Sequence, residues 1–199
     1  MYPPEYHVEN DKQKSYRVIE ECSFATVISK TEDDVIVTQL PLMLDKSRGK
    51  KGFLVGHLDR NNPHVPYLTE GSITVIFHGP NTYISPTVYQ SSQLPTWNSI
   101  SVHIKGKVST LDSNEKVRDS IIHMTDFLEQ GEERFVLDKN NQKMAGWLNY
   151  IVGFEIEITE LVGRFKLSQD KSAEDMQLAK QHLINKSNQG SADLISDLL

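Results

Sequence analysis

Three groups of polar, basic and aromatic residues sit where strands should end, and together they could hold a flat, phosphorylated ligand. His57, Arg60, Asn61 and Asn62 follow one apolar run. Thr38 and Gln39 precede Pro41 on another, and Lys166, Ser168 and Gln169 close the last. Arg60 or Lys166, set among hydroxyl and amide donors, can neutralise a phosphate. His57, Asn62 and Gln169 can hydrogen-bond the edge of a heterocycle, while Trp97 or Tyr83 offers a stacking face. Singly, each of these residues reads as a turn stabiliser or one half of a surface ion pair. The coincidence of three such clusters points to a ligand.

The stretch from Val75 to Asn98 carries the aromatic part of this set. Ile73 to Phe77 is an apolar strand that should break at Gly79-Pro80, resume over Thr82 to Ser85, and break again at Pro86. Proline fixes its own φ and donates no ladder bond, so the segment through Pro95-Thr96-Trp97-Asn98 reads as a stiff, irregular connection. His78, Tyr83, Tyr89, Trp97 and Asn98 then stand on a rigid loop, or cap the core.

Several chemistries have no support. There is no G-x-G-x-x-G, no phosphate-binding G-x-x-x-x-G-K-[ST] and no G-x-S-x-G. The seven histidines make no H-E-x-x-H pair, and Cys22 is the one cysteine, so a disulfide within the chain is excluded. The formal net charge of −6 argues against a broad nucleic-acid footprint, though not against one small basic site. The opening M-Y-P-P-E-Y-H is not a secretory leader, and no apolar run is long enough to span a bilayer, so the cytoplasm is the expected location.

The elements that must position these residues are mainly strands. After an extended arm, Asn10 or Asp11 can cap a helix reaching about Ser23. Strands are expected over Phe24 to Ser29, Val35 to Leu44 with an interruption at Pro41, Phe53 to Leu58, Ile100 to Thr110 and Val152 to Leu161 continuing to Gln169. Asp112 with Glu115 looks like a capping box, starting a helix that Gly131 ends. Ala145 to Tyr150 reads as a short helix, and Ser172 with Asp175 starts another to about Asn185. Six or so consecutive strands with hairpin-length links favour an antiparallel barrel in one domain, 1–185, with a polar tail over 186–199. Within that tail Leu194, Ile195, Leu198 and Leu199 can dock.

At these residues the chain resembles the PaiB family of FMN-binding, negative transcriptional regulators. The resemblance runs through Leu40-Pro41-Leu42, Gly56-His57, Arg60 with Asn62-Pro63, Phe77-His78-Gly79-Pro80, Tyr83-Ile84-Ser85-Pro86 and Pro95-Thr96-Trp97-Asn98. It continues in Val102-His103, Ile151 to Phe154 and Lys166-Leu167-Ser168-Gln169, and begins at Met1-Tyr2. Val88, Ser99, Asp59 and Asp170 depart from the family's pattern.

The resemblance implies a mainly β fold, an antiparallel split β-barrel of the pyridoxamine phosphate oxidase-like type, working as a homodimer with FMN at the subunit interface. By that analogy Arg60 and Lys166 take the phosphate. Thr38, His57 and Asn62 face the ring or ribityl chain, and Trp97 and Asn98 close the pocket. It also implies three functions to compare: a flavin-binding regulator acting through a partner or DNA, a flavin-dependent oxidoreductase using NAD(P)H or a small substrate, and a flavin-free or haem-binding homologue.

Overall fold

The computed structural model describes residues 3–129, 133–187 and 195–197. Met1-Tyr2, Gly131, which the sequence expects to end a helix, and Leu194, Leu198 and Leu199 lie outside the described residues.

Alternating apolar positions set the strands. Along β7 (Thr96–Thr110), Asn98, Ile100, Val102 and Ile104 are buried while Trp97, Ser99, Ser101 and His103 point the other way. The remaining strands are β1 (Val8–Glu9), β2 (Phe24–Lys30), β3 (Val35–Pro41), β4 (Met43–Asp45), β5 (Phe53–Asp59), β6 (Glu70–Ile84) and β8 (Ile151–Lys166). They form one sheet in the order β3-β2-β6-β7-β8-β5-β4, with β1 paired to β8. The pairs β1–β8, β2–β3, β4–β5 and β5–β8 are antiparallel, with Val27 opposite Thr38, Gly56 opposite Phe154 and Val8 opposite Arg164. The helices are α1 (Lys12–Glu21), α2 (Asn114–Leu128), α3 (Met144–Leu148) and α4 (Ala173–Lys186).

Three details differ from the sequence reading. Strand β6 runs unbroken through Gly79-Pro80. Proline's φ lies inside the broad β region, so it removes a donor without turning the chain, and Gly79 lets the backbone lie against Ile100, 3.1 Å from where a Cβ would stand. Trp97 and Asn98 therefore begin strand β7 rather than ending a loop. The cap of α2 is Ser113, whose hydroxyl accepts from Lys116 N at 3.3 Å, and Asp112 pairs instead with the Lys116 ammonium at 3.0 Å. Pro41 does interrupt its strand, and with the short β1 and β4 the six expected strands become eight.

The chain forms two compact units. The first is Met1–Cys22, Ile76–His103 and Leu161–Leu199, and the second is Ser23–Val75 and Ile104–Glu160. In the first, Ile84, Tyr89 and Ala179 form a buried cluster against Val88. Here α4 is capped by Ser172, as its sequence implies, and its buried Asp175 carboxylate accepts from Gln90 N at 2.7 Å and from the Ser91 hydroxyl. Ile195 is buried in the same unit. In the second unit, Val117, Leu137, Met144 and Leu148 pack together where α2 and α3 meet. Gly106 passes so close to β8 that a Cβ would stand 2.7 Å from Glu157 O.

Candidate functional site

The ten residues singled out from the sequence divide between the two units. Thr38, His57, Arg60 and Asn62 belong to the second, and Tyr83, Trp97, Asn98, Lys166, Ser168 and Gln169 to the first.

In the second unit all four make bonds within the fold. His57 comes from β5 and its Nε2 lies 2.9 Å from Ser120 Oγ on α2, whose hydroxyl donates to Val117 O at 2.7 Å. With that proton committed, the ring donates from Nε2, and burial holds its pKa down at about 4. Arg60 ends the same strand. Its Nε donates to Asn149 O at 2.8 Å, one terminal nitrogen to Ile151 O at 3.0 Å, and its backbone N–H to Tyr150 O at 2.8 Å. Asn62 closes the following turn by accepting from His64 N at 2.9 Å. His64, fully buried, spans Thr38 Oγ1 at 3.0 Å and Ser29 Oγ at 2.9 Å, and its burial lowers its pKa. The departure at Asp59 serves this turn too, since its carboxylate accepts from Asn61 N at 2.8 Å.

This unit also contains a cavity of about 720 Å³ between β4, β5 and α2, lined in part by Met43, Val55, Ser120 and His123. Its wall carries four carboxylates, Asp45, Asp112, Asp119 and Glu155, against Arg48 and Lys116. Both cations are already paired, Arg48 with Glu155 at 2.8 Å and Lys116 with Asp112. Such a wall repels a phosphate.

The first unit is different in kind. Ser168 holds a left-handed backbone, φ 65°, at a non-glycine position, a conformation that costs about 1 kcal/mol. It is held there by its surroundings. Its hydroxyl meets Tyr89 OH at 2.9 Å and the Asn98 amide at 3.0 Å, and all three residues are buried. Gln169 completes the turn, accepting from Leu167 N at 2.6 Å and donating to Phe165 O. Lys166 reaches Thr96 Oγ1 at 2.6 Å. Asp170 pairs with Lys171 at 2.8 Å, which offsets the charge that its substitution introduces.

On the other face of the same strands, two rings are open to solvent. Trp97 is 53% and Tyr83 46% exposed, with centroids 6.4 Å apart and planes inclined at 54°. Trp97 is fixed by its Nε1–H, which donates to Asn81 Oδ1 at 3.1 Å. In the same unit His78 is exposed, and His103 and Arg164 are half-buried. His103 is pushed down to about 4 by burial, then by the neighbouring Arg164 and His78 charges. Nothing in the sequence singles out Arg164, although its position two residues before Lys166 puts both side chains on one face of β8.

The exposed aromatic pair offers stacking faces, and basic side chains stand in the same unit. The chain belongs to the family described as "Putative FMN-binding domain", whose model matches residues 1–160. The flavin of that family description is FMN. The chain is 29% identical to the protease synthase and sporulation protein PAI 2 of Bacillus subtilis, over 100% of this chain and 98% of that one. This agrees with the PaiB resemblance of its motifs. Among solved structures it is similar to the flavocytochrome Anf3 of Azotobacter vinelandii, with a TM-score of 0.66 and 14% identity over 89% of this chain and 78% of that one. It is also similar to the FAD and heme binding protein of Mycobacterium smegmatis, with a TM-score of 0.64 and 15% identity over 86% and 79%. The fold is the mainly antiparallel β fold of the flavin-binding split barrels.

Proposed function

We propose that the protein is a flavin-binding regulatory protein that takes FMN on the open face of its first unit. The observation that carries this reading is the exposed pair Trp97 and Tyr83, clamped through Asn81 on two neighbouring strands. Rings left in water at this density, on a rigid strand rather than a mobile loop, are arranged for stacking. Behind them, the buried Ser168–Asn98–Tyr89 network fixes the strand ends without using the open face. Lys166 adds a cation at the Thr96 end of β7.

The regulatory part rests on the PaiB resemblance and the full-length likeness to PAI 2. With a net charge of −6, such a protein acts through a partner more readily than by covering DNA. A homodimer belongs to the same reading. Phe24, Val35 and Val37, each more than half exposed, share one face of β2–β3 with Ile28, and β3 is an edge strand.

The test is the visible spectrum of the purified protein after FMN addition and gel filtration. A retained two-band flavin spectrum that is lost in Trp97→Ala and Tyr83→Ala supports the reading. A colourless wild-type protein overturns it. For the regulatory part, a DNA fragment or protein partner whose binding changes with flavin loading is the expected result, and indifference to flavin sinks it.

A further inference from the structure

Three neighbouring strands bring three basic side chains together in the first unit: His78 from β6, His103 from β7 and Arg164 from β8. We propose that His78, His103 and Arg164 form a phosphate-monoester site, which on the flavin reading above receives the phosphate of FMN.

The first argument is charge. The charged groups that act on His103 are Arg164 and His78, and both disfavour its protonation. Asp170 acts on His7 and is paired with Lys171, and Glu9, on the strand next to Arg164, is paired with Lys14. Convergence of like charges is unfavourable unless an anion joins them. The second argument is an unmet donor. Arg164 Nε is buried and makes no hydrogen bond within the structure. Buried polar groups are nearly always satisfied, so such a donor calls for a partner, and a guanidinium is the side chain best shaped for phosphate oxygens.

The third argument is placement. Gly79 lies against Ile100 across the β6–β7 pair, and their chain neighbours are His78 on β6 and Ser99 and Ser101 on β7. Ser101 is four residues from Trp97, about 14 Å along a strand. That interval, lined on the same face by Ser99 and Ser101, suits a hydroxylated chain joining a phosphate to a ring at Trp97. The histidines are unequal partners. His78 is exposed, whereas His103 is half-buried, neutral without the anion, and gains a proton with it.

The experiment follows the imidazole signals of histidine-labelled protein by heteronuclear NMR, titrated separately with inorganic phosphate, FMN and riboflavin. Phosphate and FMN are expected to shift the His103 signals and raise its pKa, and riboflavin is not. Affinities for FMN and riboflavin are then compared in the wild type and in Arg164→Gln, with His78→Gln as a second, surface variant. The preference for FMN over riboflavin should fall at least tenfold in Arg164→Gln, with riboflavin affinity unchanged. FMN binding with no His103 response and an unchanged preference overturns this site while leaving the flavin reading standing. A His103 response to inorganic phosphate in a protein that binds neither flavin supports the site and removes the flavin. No response to phosphate or to FMN, in folded protein, ends the proposal.

Discussion

Asn98 and Ser168, seventy residues apart in sequence, meet through the Asn98 amide nitrogen and the Ser168 hydroxyl at 3.0 Å, with both side chains buried. Tyr89 joins the same hydroxyl at 2.9 Å. One oxygen thus ties the start of β7, the segment after β6 and the turn after β8. Ser168→Ala leaves two buried partners without their bond, at a cost of about 2–4 kcal/mol. Chemical denaturation measures this directly, and a loss below 0.5 kcal/mol would show that the network contributes little. Ser168→Gly relaxes the backbone strain but deletes the same hub, so it too should be destabilising.

The His57 ring titrates near 4 because it is buried, whereas in the unfolded chain it takes a proton near its ordinary 6.5. The unfolded state therefore binds more protons between those values. The stability that neutral His57 supports is complete above about pH 6.5 and is lost as pH falls towards 4. For this largely buried ring the loss is on the order of 2 kcal/mol. Urea denaturation at pH 7.5 and pH 5 should show lower stability at the acid value, with a smaller difference in His57→Phe. Equal stability at both values, in the wild type, would contradict the burial of this ring as the cause.

Arg60 donates to two backbone carbonyls from its side chain and to a third from its backbone, all just before or at the start of β8. Arg60→Ala removes both side-chain bonds, and the expected loss is about 2–3 kcal/mol. Hydrogen exchange of Ile151 and Val152 should quicken in parallel. If exchange there is unchanged, the guanidinium does not anchor this segment.

Gly106 has no room for a methyl group, since a Cβ would stand 2.7 Å from Glu157 O and press on Ile156. Gly106→Ala is expected to cost about 3 kcal/mol through forced separation of β7 from β8. A melting temperature equal to that of the wild type would mean the strands adapt without strain.

The open face of β2–β3 gives a test of association. Val37 is 53% exposed and sits opposite Ile28 in the ladder, so Val37→Lys should leave the fold intact while opposing apolar contact between copies. Light scattering after size exclusion should report a dimer for the wild type and a monomer for the variant. A dimer in both places the contact elsewhere.

Much of this was legible in the sequence because it depends on local rules. Alternation along Ile100 to Val108 marks one buried face whatever the strand pairs with, and Ser172 with Asp175 caps a helix from within four residues. Pro41 breaks its strand for a reason intrinsic to proline. The same rule predicts a break at Gly79-Pro80 that β6 does not show. Whether a missing donor interrupts a strand depends on what lies beside it, which only the packing of Gly79 against Ile100 decides. The same holds for the side chains. His57 and Arg60 look available in the sequence, which shows their chemistry but not their partners, because Ser120, Asn149 and Ile151 are distant in the chain. Arg164 and His103 are inconspicuous in the sequence for the converse reason. A basic residue on an alternating strand is ordinary until two neighbouring strands set other basic groups next to it, and non-local pairing of that kind is a property of the tertiary structure alone.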